Sequence, residues 1–206
     1  GRRGRRGRRV QQEAAPEPTA AQRLAMRDFT PTEQGMLNAF QRFVCYVHDS
    51  DELPQVKYRR GRIYYEANHF EEASFLFHDI AINHPQHELA EYAANLYLDS
   101  LEMIRQREGR TSCVREIAGA IEPLSTLYCA NEQATDSHPD LCEVVSNLRC
   151  GIIRIGIETY HNNGQFREAA NAGVALVRQH RECGRLDEVM YNAAIDFEAA
   201  HLLGRA

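Results

Sequence analysis

The chain has 206 residues, 43% of them hydrophobic and 26% charged, which is enough apolar material for a sizeable core and ordinary for a globular protein. No run of about eighteen apolar residues occurs, so a bilayer-spanning helix is excluded on length. The net charge of −5 hides a split: GRRGRRGRR puts six arginines into the first nine positions, and without them 18 basic residues face 29 acidic ones, a body near −11.

Residues 1–29 read as a disordered Arg-rich arm followed by a linker, because the repeat with glycine at every third position has nothing to bury and APEPTAAQ continues in linker composition. Nucleic-acid binding is expected only through residues 1–9, by counterion release. Order is expected from Thr30, where Thr30-Pro31-Thr32-Glu33 supplies an N-cap, a proline in the first helical position and a glutamate to close a capping box. Beyond it, apolar residues recur at three- and four-residue intervals and no sustained alternation appears, so the chain reads as all-α. The expected helices span 31–49, 54–67, 70–83, 87–105, 112–129, 139–163, 165–181 and 185–203. Pro123 should kink or split its helix, and 131–140 reads as a long loop.

Gly61, Tyr64, Ala73, Phe77 and Pro85 stand at the spacings of the tetratricopeptide pattern, and Tyr160 followed by Ala169 restates the motif in TYHNNGQFREAA. The chain therefore resembles the tetratricopeptide repeat superfamily over most of 54–206, strongly at 54–105 and 150–206 and loosely between. FEEASFLFHDIAINHPQHELAEYAANLYLDSL is similar to repeat proteins of the Gram-negative envelope, of the outer-membrane assembly lipoprotein and Tol-Pal coordinator type. The resemblance implies a right-handed superhelical array of antiparallel helix pairs over 30–206, expected to be part of a longer protein. Gly61 and Ala73 would let paired helices approach closely, Tyr64 and Phe77 would fill the space between pairs, and Pro85 would end the second helix.

By the same resemblance, the first helices of successive repeats line a concave groove that holds a protein partner as an extended peptide or helix. Its positions map to Gln55, Tyr58, Arg62, Tyr65 and Glu66, then Glu91 and Asn95, then Arg154, Glu158 and His161, with the two tyrosines expected to be exposed. The resemblance implies a non-enzymatic scaffold in an envelope assembly or motility complex, periplasmic or outer-membrane associated. The alternative is a cytoplasmic adaptor whose arm binds nucleic acid.

No catalytic residue, cofactor, metal or small-molecule substrate is expected. His84 and His87 flank Pro85 with no third ligand nearby, and Glu71-Glu72 suit the start of a helix, where negative charge complements the dipole. The six cysteines include four within 113–150, where the repeat match fails. A Cys129–Cys142 bridge across the expected loop is the first choice, with Cys113 and Cys150 near enough for a second and Cys45 and Cys183 left as thiols. Such bridges persist in an oxidising compartment, which favours export.

Overall fold

A computed structural model describes residues 18–108, 112–202 and 204, so the Arg-rich tract lies outside the described residues. Those residues are all-helical. Ten helices follow in order: α1 (Ala20–Arg23), α2 (Pro31–Tyr46), α3 (Leu53–Glu66), α4 (Phe70–Asn83), α5 (Ala90–Glu108), α6 (Ser112–Tyr128), α7 (Glu132–Ser137), α8 (Pro139–Asn162), α9 (Phe166–Gln179) and α10 (Leu186–Ala199). From α2 onward each long helix packs chiefly on its neighbours in sequence, while the short α7 lies against α8 and α6 continues the stack on α8.

The start of α2 is set by the expected capping box. The Thr30 side chain accepts from the Glu33 N–H, and the Glu33 carboxylate accepts from the Thr30 N–H at 2.8 Å. Ahead of it, 18–29 is not a free linker. The Arg27 N–H donates to the Ala67 carbonyl at 3.1 Å, the Asn68 amide donates to the Arg23 and Ala25 carbonyls, and Phe29 stacks on His69 at 4.4 Å.

Two helix turns share one backbone geometry. After α3, Asn68 takes φ 62° and the His69 N–H donates to the Tyr64 carbonyl at 2.9 Å; after α8, Gly164 takes φ 73° and the Gln165 N–H donates to the Tyr160 carbonyl at 2.9 Å. The left-handed position suits Gly and, among other residues, Asn. A third instance follows α10, with His201 at φ 57° and the Leu202 N–H on the Phe197 carbonyl at 2.8 Å.

The α3–α4–α5 core is built from Ala73, Phe77, Ile80 and Ala93, all fully buried. Gly61 is also buried and faces the Phe77 ring, so the close approach expected at Gly61 and Ala73 lies between Gly61 and Phe77. Tyr64 packs on this cluster and sits edge-on to Phe29, and α4 ends at Asn83, two residues before Pro85. The largest cluster joins α4, α5, α6 and α8 through Ala94, Leu98, Leu124, Tyr128 and Leu141, and the buried Tyr128 hydroxyl donates to the Ala81 carbonyl at 2.6 Å. Ala169 is fully buried, but Tyr160 is 41% exposed and does not act as the packing residue its spacing suggested. On α8 the residues that pack on the neighbouring cluster are Ile153 and Ile157.

Three expectations are corrected. Pro123 does not split its helix: α6 runs unbroken through it. Ile117, Ala120, Ile121 and Leu124 hold both halves of the helix on the core, which outweighs the hydrogen bond that the proline removes. The 131–140 segment is not a plain loop, since Asn131 caps α7 by accepting from the Ala134 N–H at 2.9 Å. Cysteine pairing differs as well. Cys129–Cys142 is formed as expected, with Cα atoms 5.7 Å apart, but Cys150 pairs with Cys183, Cα atoms 5.6 Å apart, and Cys183 is not a thiol. Cys150 lies on the face of α8 that meets the α9–α10 connection, beside Leu176, Leu186 and Val189. The Cys113 side chain lies outside the described residues, and Cys45 is a free, exposed thiol.

Candidate interaction clefts along α5, α8 and α10

Helical spacing puts Asn95, Asp99 and Glu102 on one stripe of α5, and Val144 and Leu148 on one stripe of α8. Between the stripes lies a cleft of about 400 Å³ whose floor is Leu96, Leu98, Val144 and Leu148. Its rim is polar and held in place. The Asp99 carboxylate accepts from the Tyr65 hydroxyl, and Glu102 accepts from Arg105 and from the Gln106 amide. The Arg105 hydrogen bond holds the Glu102 carboxyl below its usual range, while burial first and Asp99 second push the Tyr65 phenol above its own.

Further along α8, Arg154, Glu158 and His161 recur at helical intervals and face α10. His161 and Glu158 line a cleft of about 380 Å³ together with Ile157, Asn192 and Ile195. Arg154 and Glu158 line an adjoining one of about 150 Å³ that also takes in Arg185 and Val189. In the 380 Å³ cleft Asp196, with 2% of its surface exposed, accepts from His161 Nδ1 at 2.6 Å. That bond satisfies a buried carboxylate and orients the half-exposed His161 ring. The Arg154 guanidinium donates to the Gly184 carbonyl, and its Nε is buried with no hydrogen-bond partner.

Of the groove positions mapped from sequence, Asn95, Arg154, Glu158 and His161 line these clefts. The others do not. Tyr58 and Tyr65 are half-buried rather than exposed, because both rings pack against Phe77. Arg62 and Glu66 are exposed and pair with each other at 2.7 Å, Gln55 is half-buried on α3, and Glu91 accepts from His138 Nδ1 at 2.9 Å. Sequence reasoning missed Asp99 and Glu102, although both follow Asn95 at helical intervals. Val144 and Leu148 lay where the repeat match fails, and Asn192 lay in the last unit, where no positions were mapped.

A cleft of about 730 Å³ lies between the α2–α3 and α4–α5 connections and takes in His48, Asp51, His84 and His87. His87 Nδ1 is occupied, accepting from the Leu89 N–H at 3.1 Å, and these side chains do not converge on a common point within ligand distance.

No protein-family model matches the chain, and a search of curated proteins found no match.

Proposed function

We propose that the chain is a tetratricopeptide-like scaffold, a right-handed array of antiparallel helix pairs, that holds a segment of a protein partner along α5, α8 and α10. The observation that carries this reading is the run of clefts on α5–α8 and α8–α10, lined by four of the mapped groove positions. Apolar floors with polar rims suit a peptide or helix that inserts a few anchoring side chains and is oriented by hydrogen bonds. The shared turn geometry after α3, α8 and α10 supports reading these units as repeats. The role is non-enzymatic, in an assembly or motility complex of a bacterial envelope. Two disulfides suit the oxidising periplasm that such a role requires.

Photo-crosslinking tests the reading. A photoreactive residue at Asn95 or Glu158 should capture a discrete partner from cells of the source organism, and the same residue at exposed Glu122 on α6 should not. Equal capture from all three positions would overturn the groove assignment.

A further inference from the structure

We propose that the Cys150–Cys183 disulfide alternates with a thiophilic metal site: on reduction the two thiolates and the Glu182 carboxylate bind one divalent cation of the zinc class. The Sγ atoms of Cys150 and Cys183 and a carboxylate oxygen of Glu182 all lie within 4.8 Å of one another, the one group of three such ligand atoms among the described residues. The proposal is independent of the scaffold reading.

The surroundings fit a metal centre. Cys183 and Cys150 are buried, 2% and 8% exposed, in an apolar shell of Leu176, Ile153, Ile157, Leu186 and Val189. Glu182 is exposed, which gives an ion a path from solvent to the sulfurs. Its carboxylate is already oriented by His180 Nδ1 at 3.1 Å, the kind of outer-sphere hydrogen bond that fixes a ligand's direction. Two thiolates and one carboxylate carry three negative charges, and a divalent ion leaves one.

The loop that presents Cys183 is also fixed. The Cys183 N–H donates to the His180 carbonyl at 3.1 Å, Arg154 donates to the Gly184 carbonyl, and Arg185 turns the chain at φ 56° into α10. With Cα atoms 5.6 Å apart, side-chain rotation alone can take the sulfurs from bonding distance to the roughly 3.8 Å that two thiolates on one tetrahedral zinc require. A water completes four-coordination. By contrast, Cys142 Sγ lies 3.4 Å from the Tyr128 carbonyl, a group that does not replace a carboxylate as a zinc ligand.

The conversion balances with a dithiol reductant. Its two sulfurs join as its own disulfide, its two protons pass to Cys150 and Cys183, and the incoming cation displaces both protons to solvent.

The test uses the full chain, reduced by a phosphine that is itself oxidised to the phosphine oxide, and titrated with cadmium followed by zinc competition. The reduced protein should retain its helicity, show a cadmium–thiolate charge-transfer band that saturates with one tight equivalent, and release the cadmium to zinc. Glu182→Gln should weaken that binding roughly tenfold or more. Cys183→Ser should remove the tight equivalent, and the oxidised protein should show no band. Unchanged affinity in Glu182→Gln, or a tight equivalent that survives Cys183→Ser, would overturn the proposal. Loss of helicity on reduction that zinc does not restore would overturn it equally. Should Cys183→Ser fail to fold, Glu182→Gln, at an exposed position, decides the matter alone.

Discussion

Adding a single methyl group at Gly61 tests the α3–α4 seam. A Cβ built there lies 2.8 Å from Phe77 Cε1, closer than real Cβ atoms approach a neighbour, and a tight 3.1 Å from Cζ. The Phe77 ring cannot recede, since it is fully buried among Ala73, Ile80 and Ala93 with Tyr58 and Tyr65 against it. Overpacking of this kind costs about 1–3 kcal/mol. The same substitution in a helix interior gains about 0.8–1 kcal/mol in propensity. The net expectation for Gly61→Ala is a loss of up to about 2 kcal/mol, and for Gly61→Leu a larger one. Gly151→Ala is the control, because it lies inside α8 with nothing within 4 Å of its added Cβ, and it should stabilise by about the propensity gain. Urea unfolding followed by far-ultraviolet circular dichroism reads both. A Gly61→Ala variant that gains as much stability as Gly151→Ala would show that the helices are not in close contact at Gly61.

Three further outcomes are expected. Removing Cys150–Cys183, which spans 33 residues, should cost about 3.7 kcal/mol, against about 3 kcal/mol for Cys129–Cys142, which spans 13; melting temperatures of the two paired Cys→Ala variants check the order. The Glu33 carboxyl is held down to about 2, first by its hydrogen bond from Arg27 and then by Thr30. Its folded value is depressed from 4.5, so the α2 cap is intact above that pH and is lost as pH falls towards 2, which carbon-detected titration of Glu33 and amide exchange in α2 will follow. Tyr128→Phe leaves the Ala81 carbonyl without its donor in the largest cluster and should cost about 1–3 kcal/mol by chemical denaturation.

Where local chemistry decides structure, the sequence could be read directly. Thr30 and Glu33 start α2 because both cap groups lie within one turn, and the expected span 70–83 is the observed α4, flanked by a left-handed Asn68 and by Pro85. Pro123 misled because a proline penalty is local, whereas the buried face of α6 spans both sides of it. Asn131 was an N-cap signal within a stretch dominated by turn-forming residues, and α7 went unread. The second disulfide depends on which face of α8 Cys150 occupies and on where the α9–α10 connection returns, and neither is encoded near Cys150 or Cys183. Tyr65 illustrates the same limit at the clefts: its position on α3 was legible, but its burial on Phe77 and its bond to Asp99 come from the next helices.

Both disulfides begin or end in α8, one reaching back to the end of α6 and the other forward past α9. Under tension applied along the chain, the segments they enclose cannot be drawn out, which withholds roughly 150 Å of extensible contour from the pulled protein at about 3.4 Å per residue. Helices α2 to α6 before Cys129 and α10 after Cys183 have no such tie and would peel first, so a load borne by this molecule is arrested at Cys129 from one end and at Cys183 from the other. The enclosed 150–183 segment keeps Arg154, Glu158 and His161, the α8 side of the α8–α10 clefts, on α9, while the α10 side is free to leave.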